Sequence, residues 1–373
     1  MNKAIKFRIY PNNDQDIQIQ KTFGCVRKVY NELLSYQQEL YKHKKKKLSK
    51  YGMNDYCTRV LKKELSYLKE VDKFALTNSV FALDKAYDNF FSGIAKFPKF
   101  KSKNKSKKSY TTNMTNNNIE LGDKYIKIPK LGNVKAKIHR IPLKGWKVKS
   151  ATVSMTKDGK FFCSILFEYE SNIKTVSFPE DHAIGLDYKS DGLYVDSEGK
   201  VCSSPKYFRK GQERLKKAQR KLRHKSKDSN NYRKAVRKIA KEHRHIANQR
   251  KDFLHKKSTE IANQYDMVCV ETLNMRAMSN KGFGNGKATM DNGYGMFLNM
   301  LEYKLHDRGK VFIRIDKWFP SSQTCSVCGT VHSEVKDLSI RKWTCPDCGT
   351  SHNRDINAAV NIRNKGIKEY HTG

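Results

Sequence analysis

Acidic residues are scarce in this chain: 37 Asp and Glu stand against 75 Lys and Arg, a formal charge of +38 over 373 residues. Self-repulsion of that size is tolerable only where a polyanion is the working partner. Nucleic acid is therefore expected, bound with an affinity that falls steeply as salt rises. Long apolar runs are also missing. No segment approaches the roughly 20 apolar residues of a membrane-spanning helix. The opening "MNKAIKFRIYPNNDQD" has no apolar core of the signal-peptide kind. The expected compartment is the cytoplasm, where thiols stay reduced. No solenoid-type repeat is visible. The hydrophobic content, 38%, is thin but sufficient for globular cores, which excludes wholesale disorder. The length suits two or three domains.

Pattern changes divide the chain. Residues 3–9, "KAIKFRI", alternate like a strand and stop at Pro11. From about 14 to 94 the period is helical, with Phe74, Leu76, Val80, Leu83, Ala86 and Phe90 on one stripe. Residues 96–109, "KFPKFKSKNKSKKS", read as a basic loop whose interleaved Phe and Lys suit a nucleic-acid strand better than a plain linker. Short strands with turns follow between 117 and 170, and 171–182 read as a linker. Then come a buried strand "HAIGLDY", a hairpin "GLYVDSEGKVCS", a basic helical stretch over 206–264, the strand "DMVCVET", a helix over 291–308 and the strand "KVFIRID". A last helix starts at Asp355. Three strands, helix, strand, helix, strand, helix is the order of an RNase H-like fold. The 206–264 stretch, broken near "KDSNNY", carries one sign of charge densely enough to face phosphates.

Cys325-x-x-Cys328, sixteen residues and Cys345-x-x-Cys348 form the spacing of a four-cysteine zinc ribbon. Gly329 and Gly349 fall where each turn is crowded. Four thiolates complete a tetrahedron, so the zinc is expected to be structural, with His332 and His352 as spare donors. A disulfide or redox pair is the competing reading. Cys25, Cys57, Cys163, Cys202 and Cys269 are scattered and read as small buried hydrophobes.

Three acids occupy telling positions: Asp187 ends "AIGLD", Glu271 ends "MVCVE" and Asp355 opens "DINAAVNI". An acid at the end of an apolar strand is costly unless it meets a cation or a donor. Singly each has an ordinary role: turn former, strand-end charge, helix N-cap. Together, at the first strand, fourth strand and final helix of that fold order, they can hold two Mg²⁺ for in-line phosphodiester hydrolysis.

The chain resembles the TnpB (OrfB) family of transposon-encoded RNA-guided DNA endonucleases, relatives of type V CRISPR effectors. The resemblance rests on "KFRIYPNNDQ", "FGCVRKVYNE", "FPKFKSK" with "SYTT", "IGLD", "VCVETLNM" and the block over 321–362, "SSQTCSVCG...WTCPDCG...NRDINAAVNI". It implies an α/β multidomain protein: a wedge-type β-barrel over 1–10 and 110–172, interrupted by a helical recognition module over 11–109. A RuvC-like nuclease core over 183–320 and 353–373, with the ribbon over 321–352 inserted, would follow. It puts the catalytic triad on Asp187, Glu271 and Asp355 with two Mg²⁺, and zinc on the four paired cysteines. It further implies a guide RNA made from the transposon end, a double-stranded DNA target read beside a short flanking motif, and a bacterial protein acting at the nucleoid. Neither a membrane nor an obligate protein partner is implied. Asn78, Tyr110 and Thr111 lie in the segments where such families read the flanking motif. Two departures stand out: Tyr188 and Lys189 follow the first acid where the family commonly has Gly, which makes Asp191 a rival ligand, and Asn353 replaces a frequent acid.

Three other functions compete. A tyrosine transposase would need a His-x-His site, and His243-Arg244-His245 lacks the hydrophobic middle residue. An RNA-guided repressor would be expected to lose the acids. A ribosome-associated zinc-ribbon protein leaves them unexplained.

Overall fold

The computed structural model describes residues 1–170, 173, 180–227, 229–280, 282, 286–337 and 339–372, so most of the expected linker over 171–182 lies outside them. The chain divides into two compact units, Met1–Ser171 and Asn172–Gly373. No described helix is long and apolar enough to cross a membrane.

In the first unit, β1 (Asn2–Tyr10) alternates as its sequence does, with Ile5, Phe7 and Ile9 turned into the core. Pro11 ends it. Asn12 then caps α1 (Asn13–Lys44): its Oδ1 accepts from the Gln15 amide at 2.8 Å, and Gln15 Oε1 accepts from the Asn12 amide at 3.1 Å. Short α2 (Lys50–Tyr56) and α3 (Lys62–Glu64) precede α4 (Lys73–Phe91), so the long helical period is realised as separate helices. β2 (Lys108–Asn113), β3 (Glu120–Leu121), β4 (Tyr125–Ile128), β5 (Gly132–Lys137), β6 (Lys147–Met155) and β7 (Phe161–Glu168) join β1 in one antiparallel sheet, ordered β2-β6-β7-β1-β5-β4-β3. Among the described residues no ladder joins β2 to β3, so the expected barrel is here a sheet with two ends. β2 also starts inside the segment read as a loop. Its Tyr110 and Thr112 are core-facing while Lys108 keeps partial contact with water.

The second unit carries β8 (Ala183–Tyr188), β9 (Tyr194–Asp196) and β10 (Val201–Cys202), then the helix pair α5 (Tyr207–Arg223) and α6 (Asn230–Gln264). β11 (Met267–Glu271), α7 (Met275–Met278), α8 (Gly286–Asn292), α9 (Tyr294–His306) and β12 (Val311–Ile315) follow. A hairpin of β13 (Lys342–Thr344) and β14 (Ser351–Asn353) leads into α10 (Arg354–Thr372). The sheet order is β10-β9-β8-β11-β12, with β8, β11 and β12 parallel and the β8–β9–β10 meander antiparallel. β8 and β11 are apolar up to the acids near their C-terminal ends because both faces are covered. One face packs on α6 and α9, through Leu254, Ile261, Phe297 and Leu301. The other packs on α10, with Ala183, Met267, Cys269 and Ile315 around Ile362.

Two glycines let α10 lie close. A Cβ on Gly185 would stand 2.0 Å from the Ala359 carbonyl oxygen, and one on Gly366 would stand 2.3 Å from Cys269 Sγ. Such contacts fix the height of α10 along β8. They also decide where its first turn falls.

Candidate active site

The three acids meet through register. Val270 pairs with Leu186 in the parallel ladder, so the next residues, Glu271 and Asp187, end adjacent strands side by side. Side chains alternate along a strand, and Gly185 and Cys269 both touch α10. Asp187 and Glu271 therefore share that face. Ala359 sits over Gly185. Four residues back along a helix is about 6 Å, and two residues forward along a strand is about 6.6 Å. Asp355 thus comes level with Asp187.

Their surroundings differ. Burial first, and then the charges of Glu271 and Asp355, push the Asp187 carboxyl well above the usual carboxylate range. Burial also raises Glu271, against the hydroxyl of Ser321, which donates to Glu271 Oε1. Asp355 is held by cations: Lys189 Nζ lies 3.1 Å from its Oδ2 and Arg341 Nη1 lies 3.2 Å from its Oδ1. Among the described residues, the sets of three or more metal-type donors lying within 4.8 Å of one another are the four thiols and the trio His332, Cys345 and Asp347. The acid oxygens stand further apart.

The donor set fits Mg²⁺, which takes hard oxygen ligands and keeps several waters. A second observation agrees. The Tyr294 hydroxyl is buried with no hydrogen-bond partner, and burial, followed by the charges of Asp187 and Glu271, pushes it well above a phenol's ordinary value. The charges of two of the acids thus reach an unanswered hydroxyl. Asp191, the rival ligand, is exposed and lies 3.8 Å from Lys189 Nζ. Asn353, not Asp355, caps α10: its Oδ1 accepts from the amides of Asp355 at 3.1 Å and Ile356 at 3.3 Å. The departure at 353 thereby leaves the Asp355 carboxylate clear of capping.

The ribbon fits zinc. Cys325 and Cys348 Sγ are 3.6 Å apart, as are Cys328 and Cys345. The sulfur–sulfur edge of a tetrahedron with Zn–S of 2.3 Å is about 3.8 Å. Thr330 hydrogen bonds pull the Cys328 thiol down to about 6, toward the thiolate that metal requires. The two histidines stand just behind: His352 Nε2 lies 3.1 Å from Cys325 Sγ and His332 Nε2 lies 3.3 Å from Cys345 Sγ.

Two residues that sequence reading passed over join ribbon to acids. Asn357 Nδ2 donates to the Thr324 carbonyl at 2.7 Å, and Asn361 Nδ2 donates to the carbonyls of Ser321 at 2.8 Å and Thr324 at 2.6 Å. Both amides are buried on an otherwise apolar face, and polar residues four apart there were the available signal. Ser321, which holds Glu271, is positioned by this clamp.

Of the flanking-motif candidates, Asn78 Nδ2 donates to the Thr111 carbonyl at 2.9 Å and to Asn113 Oδ1 at 3.0 Å. Tyr110 is a correction. It is 5% exposed and packs edge-on against Phe23, so its side chain belongs to the core. Within the basic loop, Lys101 Nζ sits 3.5 Å over the Tyr30 ring, and burial lowers it to about 8. His243 and His245 are exposed on α6 and belong to no such donor set among the described residues.

Comparison with known proteins follows this geometry. Family profiles match residues 294–362 ("Cas12f1-like, TNB domain"), 164–281 ("Probable transposase") and 1–46 ("Helix-turn-helix domain"). Over 1–46 the chain is a strand and one unbroken helix rather than two helices. A protein of Streptomyces pristinaespiralis named "Putative RNA-guided DNA endonuclease" is 34% identical over 98% of this chain and 90% of its own length. "Putative RNA-guided DNA endonuclease InsQ" of Escherichia coli K12 is 30% identical over 96% and 91%. The solved structure titled "Cryo-EM structure of the Cas12f1-sgRNA-target DNA complex" superposes with a TM-score of 0.61 over 97% of this chain and 98% of that one, at 13% identity. That likeness is one of fold.

Proposed function

Because this chain belongs to the TnpB (OrfB) family, whose relatives are named RNA-guided DNA endonucleases, we propose that it is the RNA-guided DNA endonuclease of an insertion sequence. It would cut double-stranded DNA beside a short flanking motif by Mg²⁺-dependent hydrolysis, in the cytoplasm at the nucleoid. The observation that carries this is the convergence of Asp187, Glu271 and Asp355 from two strands and a helix onto one sheet edge. The strand order of the second unit supports an RNase H-like, RuvC-type reading. On it, 183–320 and 353–373 are the nuclease core and 321–352 a structural zinc insert. In the first unit, 1–10 and 110–172 would be the wedge domain and 11–109 the recognition module. Asn78 and Thr111 keep partial exposure and remain the candidates for the flanking motif.

Asp187, Glu271 and Asp355 would hold the catalytic Mg²⁺, which when bound lowers the barrier to water attack on phosphorus and to departure of the 3′ oxygen. The rest falls to the chain's own groups. Ser321 fixes the Glu271 carboxylate. Lys189 and Arg341 neutralise Asp355 until cation and substrate arrive. The exposed lysines and arginines of α5 and α6 draw in phosphates. A guide RNA from the transposon end and a target DNA are the partners the charge of +38 would accommodate.

The alternative is an RNA-guided repressor that binds without cutting. All three acids are present, which favours the nuclease. The test is to purify the chain with co-expressed RNA and incubate it with plasmid targets and Mg²⁺. Cutting that Asp187→Ala abolishes while RNA binding survives is expected. Tight binding with no cutting by the wild type would establish the repressor.

A further inference from the structure

We propose that Trp318 is a stacking platform that receives an unpaired base of the DNA strand being cut, beside the acid cluster. The inference rests on the nuclease reading and adds to it a residue that positions the strand at the site.

The first observation is exposure. At 79%, Trp318 is the most exposed of the large hydrophobic side chains described, although tryptophan is a residue that folding ordinarily covers. Its orientation is built. Asp316 Oδ1 accepts from the Trp318 amide at 2.6 Å, and the Phe319 amide donates to the Asp316 carbonyl at 3.3 Å. This tight turn sends neighbouring rings opposite ways. Phe319 packs against the core beneath α10, and Trp318 faces water.

The second observation is where the turn sits. β12 ends at Ile315, the register partner of Glu271. Six residues later Ser321 donates to the Glu271 carboxylate. The arch over 316–320 therefore leaves from beside Glu271 and returns to it. Three residues of chain reach at most about 11 Å, so the backbone of Trp318 stays within that span of Ile315 and Ser321, the two residues beside Glu271.

The third observation is charge. Lys317 Nζ lies over one face of the indole, 4.3 Å from its centroid, which brings a cation to the ring and leaves the opposite face of this exposed side chain for a base. Arg341, on the other side of Asp355, is largely exposed. An aromatic face beside cations is the arrangement that binds single strands. Every base has a π-face, so the contact positions without reading sequence. A base inside a duplex has both faces covered by its neighbours. Only an unstacked base could lie on Trp318.

The experiment uses the full chain with its co-purified RNA, carrying Asp187→Ala so that the DNA stays intact. A single-stranded DNA complementary to the guide and extended beyond it at both ends by unpaired nucleotides, with 5-iododeoxyuridine at successive positions of the extensions, is photocrosslinked and the adduct mapped by peptide mass spectrometry. A crosslink on Trp318 from one or two adjacent positions is expected. In the cutting enzyme, Trp318→Ala should raise KM roughly five- to a hundredfold, the cost of one base–aromatic stack, with a smaller change in kcat. Trp318→Phe should recover most of it. Crosslinks that never map to Trp318, with Trp318→Ala cutting like the wild type, would overturn the proposal. A Trp318 crosslink in a protein that cannot cut would keep the platform and remove the nuclease, so the two readings fail separately.

Discussion

The ribbon and the acid edge are both anionic donor sets in the second unit, yet the thiols are drawn together and the carboxylates stand apart. The four sulfurs lie within 4.8 Å of one another, and each comes from a local turn. The acids arrive from three separate elements. A thiol can keep its proton where charge would be costly, as burial holds Cys345 up at about 11 while Thr330 draws Cys328 down to about 6, so four can gather at little cost. Carboxylates are charged, and two of them 4 Å apart repel by about 4 kcal/mol at an effective dielectric of 20. The edge therefore leans on Lys189, Arg341 and Ser321. One site is closed and completes itself. The other is held open by tension.

The largest way to break that contrast is through the metal of the ribbon. Such sites contribute on the order of 10–16 kcal/mol in small peptides, more than their apolar contacts could supply. Cys345→Ser should lose zinc, measured by atomic emission, and with it hydrogen-exchange protection across 321–353. Cutting should vanish too, since Ser321 depends on the same loop. Retained protection in the zinc-free variant would mean that packing, not metal, holds the ribbon.

Next in size is Asp187→Asn, which should abolish cutting yet stabilise the Mg²⁺-free fold. The sign follows from linkage. Asp187 is raised in the folded state, so the stability gained from its protonation is full below its unfolded value and lost as pH rises through the folded one. Glu271 acts in the same direction. Calorimetry without Mg²⁺ should show the wild type gaining stability on acidification toward the ordinary carboxylate range. The Asn variant should gain less. Equal slopes would show that the Asp187 carboxyl does not titrate under strain.

A smaller cut tests whether the two regions are joined. Asn361→Ala leaves the Ser321 carbonyl without its donor and the Thr324 carbonyl with that of Asn357 alone, a loss of about 1–3 kcal/mol. Zinc content should hold while cutting falls, although Asn361 touches neither metal site. Unchanged cutting would uncouple ribbon from acids.

What was legible in the chain follows the same division. Metal-ligand spacing is local, so the ribbon could be read outright. The buried strands "AIGLD" and "MVCVE" were visible as apolar runs, and the acids as exceptions at their ends. Register was not visible. The ladder that sets Glu271 beside Asp187 joins strands far apart in sequence, and the height of α10 depends on Gly185 and Gly366, glycines that do not announce what they lie against. Residue type also misled where a side chain's direction decides: Tyr110 went to the core, and Lys108 opened a strand inside a run of lysines that read as loop. Trp318 passed unnoticed because a lone tryptophan in a sequence is read as core by default.

The mildest perturbation is the most discriminating about the open edge. Lys189 Nζ, 3.1 Å from Asp355 Oδ2, sits where a ligand bond to Mg²⁺ would form, and it replaces a residue that the family commonly keeps as glycine. If the ammonium competes with the cation, Lys189→Ala should lower the Mg²⁺ concentration for half-maximal cutting by about two- to fivefold, the value of a partly exposed pair. Lys189→Arg should preserve the wild-type requirement. Were the requirement to rise in the alanine variant instead, Lys189 would be holding the Asp355 carboxylate in the posture that metal needs. The edge would then be as preorganised as the ribbon, and the contrast between the two sites would lie only in which atoms they use.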